Sequence, residues 1–348
     1  PMRSRLHTLA SGAMLLLASL ASGLATAQPA ALDGAGDGPV YRVTIDGMID
    51  AALATYIDRA LSEAEETDAA AVVLTVDTFG GLVDAADIIR QRLLDATVPV
   101  VAVIDKNAIS AGALITYAAD RIYVTPGSTM GAATAVDGTG EYGTEKIQSA
   151  VRALIRSTAE ANGRDGQIAE AMVDERIEIP GVVEEGVLLT LSSDEAVDLE
   201  VADGLVANAD EALADLGLAG RESVQHEASG VEKVLRFLGS PVMASLLMMM
   251  MLGGMYFELQ TPGVGFAGAM AVLGAGLFFA PHYLLGLAQS WEIALFVVGV
   301  GLLLVEVFVT PGFGVFGISG LVSVIVALLI ALVPNVGFQF PSDGAIAQ

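Results

Sequence analysis

The 348-residue sequence contains no cysteine, which removes disulfides, thiol nucleophiles and cysteine metal sites from consideration. Histidine is almost as scarce. Between residues 39 and 236 there is only His226, in a polar linker, so a Ser-His-Asp triad finds no base there and a histidine metal centre lacks ligands. Lysine occurs three times, as Lys106, Lys146 and Lys233, and neither lysine nor arginine follows Arg236. With a net charge of -25, the chain lacks the clustered cations that phosphate binding needs, so nucleic acid is excluded as a partner and anionic lipid surfaces are disfavoured. No metal, nucleotide or organic cofactor is implied.

What the chain has in abundance is segregated apolar sequence: 54% of residues are hydrophobic, yet 41 are acidic. Arg3, Arg5 and His7 precede an apolar run over residues 9–24 and then Ala25-Thr26-Ala27, a small-x-small cleavage pattern. Residues 1–27 therefore read as a signal peptide, and the domain that follows is expected on the extracytoplasmic side. Residues 28–38 read as a Gly/Ala/Asp linker, 39–220 as a soluble domain, 221–240 as a polar linker, 241–334 as a membrane region and 335–348 as a tail.

In the soluble domain, residues 40–45 alternate like a strand, 51–66 have helical spacing, and 71–76 (AVVLTV) form a β-branched run suited to a sheet covered on both faces. A Gly80-Gly81 turn, a helix over 83–94, a strand over 98–104, a short helix after Ser110 and a strand over 121–124 continue the alternation. Such alternation implies parallel pairing in an α/β domain. Helices are predicted over 145–161 and 165–173, and a β-containing stretch over 188–206.

The stretches 242–257, 264–280, 293–305 and 313–333 predict about four membrane helices in an all-α multi-pass domain in contact with the lipid bilayer. Within them Thr261-Pro262-Gly263-x-Gly265-x-x-Gly268 recurs 49 residues later, beginning at Thr310. The repeat predicts two glycine-faced hairpins whose helices approach closely, both TPG turns on the cytoplasmic side. Glu258 and Glu306 precede the copies and are expected to reach interfacial water beside the turns.

Serine activated by lysine is the chemistry that remains. Ser110 lies in Asn107-Ala108-Ile109-Ser110-Ala111-Gly112-Ala113, where an apolar strand feeds a small-residue helix and backbone N–H groups favour an oxyanion. Gly80-Gly81, ending the preceding strand, can supply a second oxyanion donor at the same sheet edge. The base must be a neutral lysine. Lys106, four residues before Ser110, and Lys146, opening a later helix, both qualify by position. A bland reading competes, in which Ser110 only caps a helix and Lys146 is only a surface lysine.

The run 108–136 (AISAGALITYAADRIYVTPGSTMGAATAV), the earlier DTFGG at 77–81, Lys146 and the TPG-bearing membrane region resemble the NfeD family of membrane-bound ClpP-class serine proteases. The resemblance covers about residues 39–333. It implies a ClpP/crotonase-like exported α/β domain, endopeptidase activity on polypeptide substrates, and a Ser/Lys dyad of Ser110 and Lys146. It implies an oxyanion hole from Gly80, Gly81 and the N–H of Ala111, and homo-oligomers. Stomatin- or flotillin-like membrane proteins are the implied partners, with their hydrophobic segments as substrates. Long family members carry an OB-type barrel after the membrane helices, which the sequence given, ending at Gln348, does not include. Glu200 stands where related proteases usually have glycine. The alternative is an inactive ClpP-like scaffold binding such partners in the membrane; a crotonase-like acyl-CoA enzyme fits the fold but not export.

Overall fold

Two runs of β-branched residues build the centre of the N-terminal domain's sheet, β2 (Ala71–Thr78) and β3 (Val100–Ile109). The computed structural model describes residues 32, 34–136, 141–261, 265–285, 288–310 and 314–332. The expected signal peptide, the Pro-Gly pairs of both TPG turns and the C-terminal tail lie outside the described residues. Alternate residues of β2 and β3 enter different apolar clusters, Val72, Leu74 and Ile104 on one face and Val73, Val101 and Val103 on the other. Each such side chain is essentially buried, and burial of a Val or Leu stabilises the fold by roughly 1.5–3 kcal/mol.

β1 (Val40–Asp46) pairs parallel with β2, and β8 (Ser223–Gln225) extends the sheet beyond β1. On the other side β3 forks. Its first half pairs with β4 (Arg121–Val124), which in turn pairs with β7 (Gly204–Leu205); its second half pairs with β5 (Thr129–Gly131). β6 (Thr190–Ser192) joins β5 antiparallel, the one such pair among the named strands. The fork takes β3 to Ile109, beyond the expected strand end, and so puts Ser110 at the carboxyl edge of the sheet.

The helices follow the expected order: α1 (Ala51–Glu66), α2 (Val83–Leu94), α3 (Ala111–Tyr117), α4 (Glu145–Ala161), α5 (Gly166–Ala171), α6 (Ser193–Asp198) and α7 (Ala209–Asp215). Glu200, where glycine is usual in the resembling proteases, sits at φ +57°, so a side chain occupies a left-handed position that glycine adopts without strain.

α8 (Gly230–Gly239) joins the sheet domain to the helices that follow. A capping box of Ser229 and Glu232 starts it, and Glu232 also holds Arg59 of α1 through bonds of 3.0 and 2.9 Å. Burial by itself would raise the Glu232 carboxyl, but Arg59 and the Ser229 N–H and hydroxyl outweigh it and bring the pKa down from 4.5 to about 2. A carboxyl depressed in the fold stabilises it above the unfolded value and loses that contribution as pH falls through the folded value. The stability difference between wild type and Glu232→Gln is therefore expected to be at most about 3 kcal/mol near neutral pH and to vanish between pH 4.5 and 2. Thermal unfolding of both chains across that range checks it; a difference independent of pH contradicts it.

Four apolar helices follow among the described residues: α9 (Pro241–Gln260), α10 (Phe266–Leu284), α11 (Ser290–Phe308) and α12 (Val315–Leu332). Among the described residues the first three are long and apolar enough to cross a membrane. Within each hairpin the helices touch through glycine. A Cβ on Gly254 would stand 2.6 Å from the Ala267 carbonyl oxygen, and one on Gly299 2.9 Å from that of Gly320.

The two repeat glutamates hold the turns beside them, Glu258 half-buried and Glu306 buried. Glu258 accepts from the Gly265 and Gly268 N–H groups at 3.3 and 2.9 Å, and Glu306 from Gly314 and Gly317 at 2.6 and 2.9 Å. Each carboxylate thus supplies acceptors to the N–H groups opening the next helix, which lack intrahelical partners. Glu306 is buried, so interfacial water is not what satisfies it.

Candidate active site

Ser110 follows β3 directly and precedes α3. Its N–H donates to the Gly131 carbonyl of β5 at 2.9 Å, and its φ and ψ are +58° and −122°. A non-glycine residue held there costs on the order of 1–3 kcal/mol, which the flanking sheet and helix must impose. The hydroxyl makes no cap hydrogen bond to α3 and no other recorded hydrogen bond among the described residues, so helix capping does not explain this serine.

Glycine is required opposite. Gly80 has φ +107°, and a Cβ there would lie 2.6 Å from the Ser110 Cβ and 3.0 Å from its Oγ. Thr78, buried at the end of β2, sets this turn: its hydroxyl donates to the Gly47 carbonyl at 2.6 Å and accepts from the Gly80 N–H at 2.9 Å. The sequence reading missed Thr78, although a hydroxyl closing an apolar strand just before Gly-Gly was a visible signal. Its consequence is that the Gly80 N–H, expected to face an oxyanion, already has an acceptor. Neither the Gly81 nor the Ala111 N–H has a recorded acceptor among the described residues. Gly81 is exposed and is anchored by a parallel bridge to Ile49, whose N–H donates to the Gly80 carbonyl and whose carbonyl accepts from Leu82.

A small cleft of about 60 Å³ opens at Ser110, walled by Gly81, Val83, Leu114, Val136, Val151 and Ile155. Apolar walls suit an apolar side chain and exclude water from the hydroxyl. Its rim is the segment after β5, where Val136 bridges antiparallel to Tyr142 and the Gly143 N–H donates to the Ala135 carbonyl at 2.9 Å. The buried Gln148 side chain ties α4 to this rim, donating to the Ala135 carbonyl at 2.7 Å and accepting from the Ala135 N–H at 3.3 Å.

The two candidate lysines stand differently. Lys106 is 67% exposed and paired with Asp77 at 2.9 Å and Asp105 at 3.6 Å, and its bond to Asp77 raises its pKa, keeping the amine charged. Lys146 is exposed in the first turn of α4, two residues before Gln148, and makes no hydrogen bond or ion pair among the described residues. It is not among the residues lining the cleft. Ser110, Gly80, Gly81 and Ala111 are thus gathered at one sheet edge, with Lys146 on the helix that starts at its rim. No cluster of metal-ligating side chains occurs among the described residues.

Residues 39–226 match the family model described as "NfeD1b, N-terminal domain", and residues 242–347 that of the "NfeD integral membrane domain". The chain is 36% identical over 293 residues to Membrane protein NfeD1b of Bacillus subtilis, covering 84% of this chain and 67% of that protein. It is 26% identical over 306 residues to Membrane-bound protease PH1510 of Pyrococcus horikoshii, covering 82% and 67%. Among solved structures it is similar to a mutant of the 1510-N membrane-bound stomatin-specific protease in complex with a substrate peptide, at 24% identity and a TM-score of 0.49 over 58% of this chain and 97% of that one. The chain spans about two thirds of the length of both curated relatives.

Proposed function

The chain belongs to the NfeD family, and on that footing we propose that it is a membrane-anchored ClpP-like serine endopeptidase acting through Ser110 and Lys146. The observation that carries this reading is the Ser110 turn: a strained, half-buried serine without a hydrogen bond among the described residues, at a helix start, beside two N–H groups without recorded acceptors. In the reaction, Ser110 Oγ attacks a peptide carbonyl while the neutral Lys146 amine takes its proton and returns it to the leaving amine. The Gly81 and Ala111 N–H groups, with the α3 dipole, hold the oxyanion. Water then repeats the attack on the acyl-enzyme. The Gln148 clamp keeps the start of α4, and with it Lys146, at the rim of the cleft, from where the reading requires the amine to close on Ser110. The exported domain stands on the extracytoplasmic side, and the substrates are apolar segments of stomatin-like membrane partners, as for the stomatin-specific protease it is similar to.

A second reading, an inactive scaffold for such partners, is favoured by one observation, the solvent position of Lys146 outside the cleft. A fluorophosphonate probe on the full chain in membranes separates the two. Mass spectrometry is expected to find the adduct on Ser110, with labelling slowed at least about a hundredfold in Lys146→Ala. An unlabelled Ser110 in the folded chain supports the scaffold.

A further inference from the structure

The carboxyl edge of the sheet that carries Ser110 also faces the membrane helices. Arg236, near the end of α8, donates to the Asp46 and Met48 carbonyls just past β1 at 2.7 and 2.9 Å, and its Nε lies 3.4 Å from Asp50. α9 begins two residues after α8 ends. Between the two parts lies a groove of about 400 Å³ whose walls are mostly apolar. Met48 and Leu82 line one side, and Leu235, Ala244, Leu285 and Ala331 the other. Its charged members, Asp50 and Arg236, are paired with each other.

The groove and the Ser110 cleft share a wall. Leu82 lines the groove and Gly81 the cleft, and both belong to the strip that Ile49 bonds at Gly80 and Leu82. Met48 lines the groove and Val83 the cleft, and both are 42% exposed. α8 fixes the level of the bilayer independently. Val231, Val234 and Phe237, spaced three apart, are all more than half exposed on a helix that leads directly into a spanning one, which is how an interfacial helix presents its apolar face. An α8 lying in the interface would put the adjoining groove mouth at the depth of the headgroups.

We propose that this groove admits an uncharged, apolar segment of a membrane-inserted polypeptide from the bilayer and leads it past Met48 and Leu82 to Ser110. The inference rests on the peptidase reading for its purpose but not for its test. A free aqueous peptide has no need of the route; a segment that leaves the bilayer here meets apolar side chains, Met48 and Leu82 among them, on its way to the nucleophile. Charged segments are rejected at the mouth by the cost of desolvation.

The full chain carrying Ser110→Ala, reconstituted in phosphatidylcholine vesicles, is given a photoreactive benzoylphenylalanine at position 48, 285 or, as a remote exposed control, 187. The probe is a single-span Leu/Ala peptide with an apolar flank. Adducts with the peptide are expected from positions 48 and 285 and not from 187; adducts with lipid alone, or none, overturn the proposal. In the active chain, Leu285→Glu is expected to lower the ratio of inserted-peptide to soluble-peptide cleavage about tenfold. An unchanged ratio overturns the route. If the unsubstituted chain cleaves neither peptide, the peptidase reading fails, while the cross-links still decide what the groove holds.

Discussion

Peptide hydrolysis by the full chain is expected to fall by at least about a thousandfold in Ser110→Ala and in Lys146→Ala, each to the same residual rate. Two groups that act as a unit lose nearly everything when either is removed, so the double variant is expected to be no slower. Lys146→Arg is expected to be as inactive, because a guanidinium remains protonated and cannot take the serine proton. Lys106→Ala, by contrast, is expected to change the rate by less than about threefold, the usual span of a surface substitution. Its amine is held by Asp77 and Asp105 and the side chain is exposed. The fold is expected to survive Lys146→Ala, since the side chain is exposed and makes no bond among the described residues. Steady-state kinetics with thermal unfolding as a control measure all of this, and a Lys146→Ala chain that keeps its rate removes that lysine from the reaction.

Gly80→Ala is the second large effect. One methyl group there meets two obstacles, a φ of +107° and a Ser110 Cβ only 2.6 Å away. Alanine at such a φ is strained, and relieving the contact moves either the serine or the strip bearing the Gly81 N–H. The expected outcome is a loss of about 2–4 kcal/mol of stability together with a loss of activity of at least about a hundredfold. Activity is expected to fall further than the folded fraction explains, which parallel kinetics and denaturant titration resolve. An alanine variant with full activity would mean that serine and strip do not approach this closely in the working enzyme.

Much of this was legible from residue types and spacing. AVVLTV and the run from 98 suit strands buried on both faces, being β-branched and almost wholly apolar. The position of Ser110 between an apolar strand and a small-residue helix followed from the same pattern. Four apolar stretches and the 49-residue repeat announced the hairpins, and glycine announced their close contact. What could not be read depends on partners distant in the chain. Nothing near Glu306 says that its carboxylate serves the N–H groups of Gly314 and Gly317, and nothing near Arg236 points to the Asp46 and Met48 carbonyls. The Gly80 N–H looked free until Thr78 was seen to accept from it. The fork in β3 likewise depends on β4 and β5 returning to different halves of one strand.

The account stands or falls on the amine reaching the hydroxyl. An experimental structure of the full chain with Ser110 phosphonylated measures this directly. The expected result has Lys146 Nζ within about 3.2 Å of Ser110 Oγ or the bound phosphonate, and the phosphonyl oxygen between the Gly81 and Ala111 N–H groups. A phosphonylated Ser110 with Lys146 still in open solvent and another group at the oxygen would contradict it.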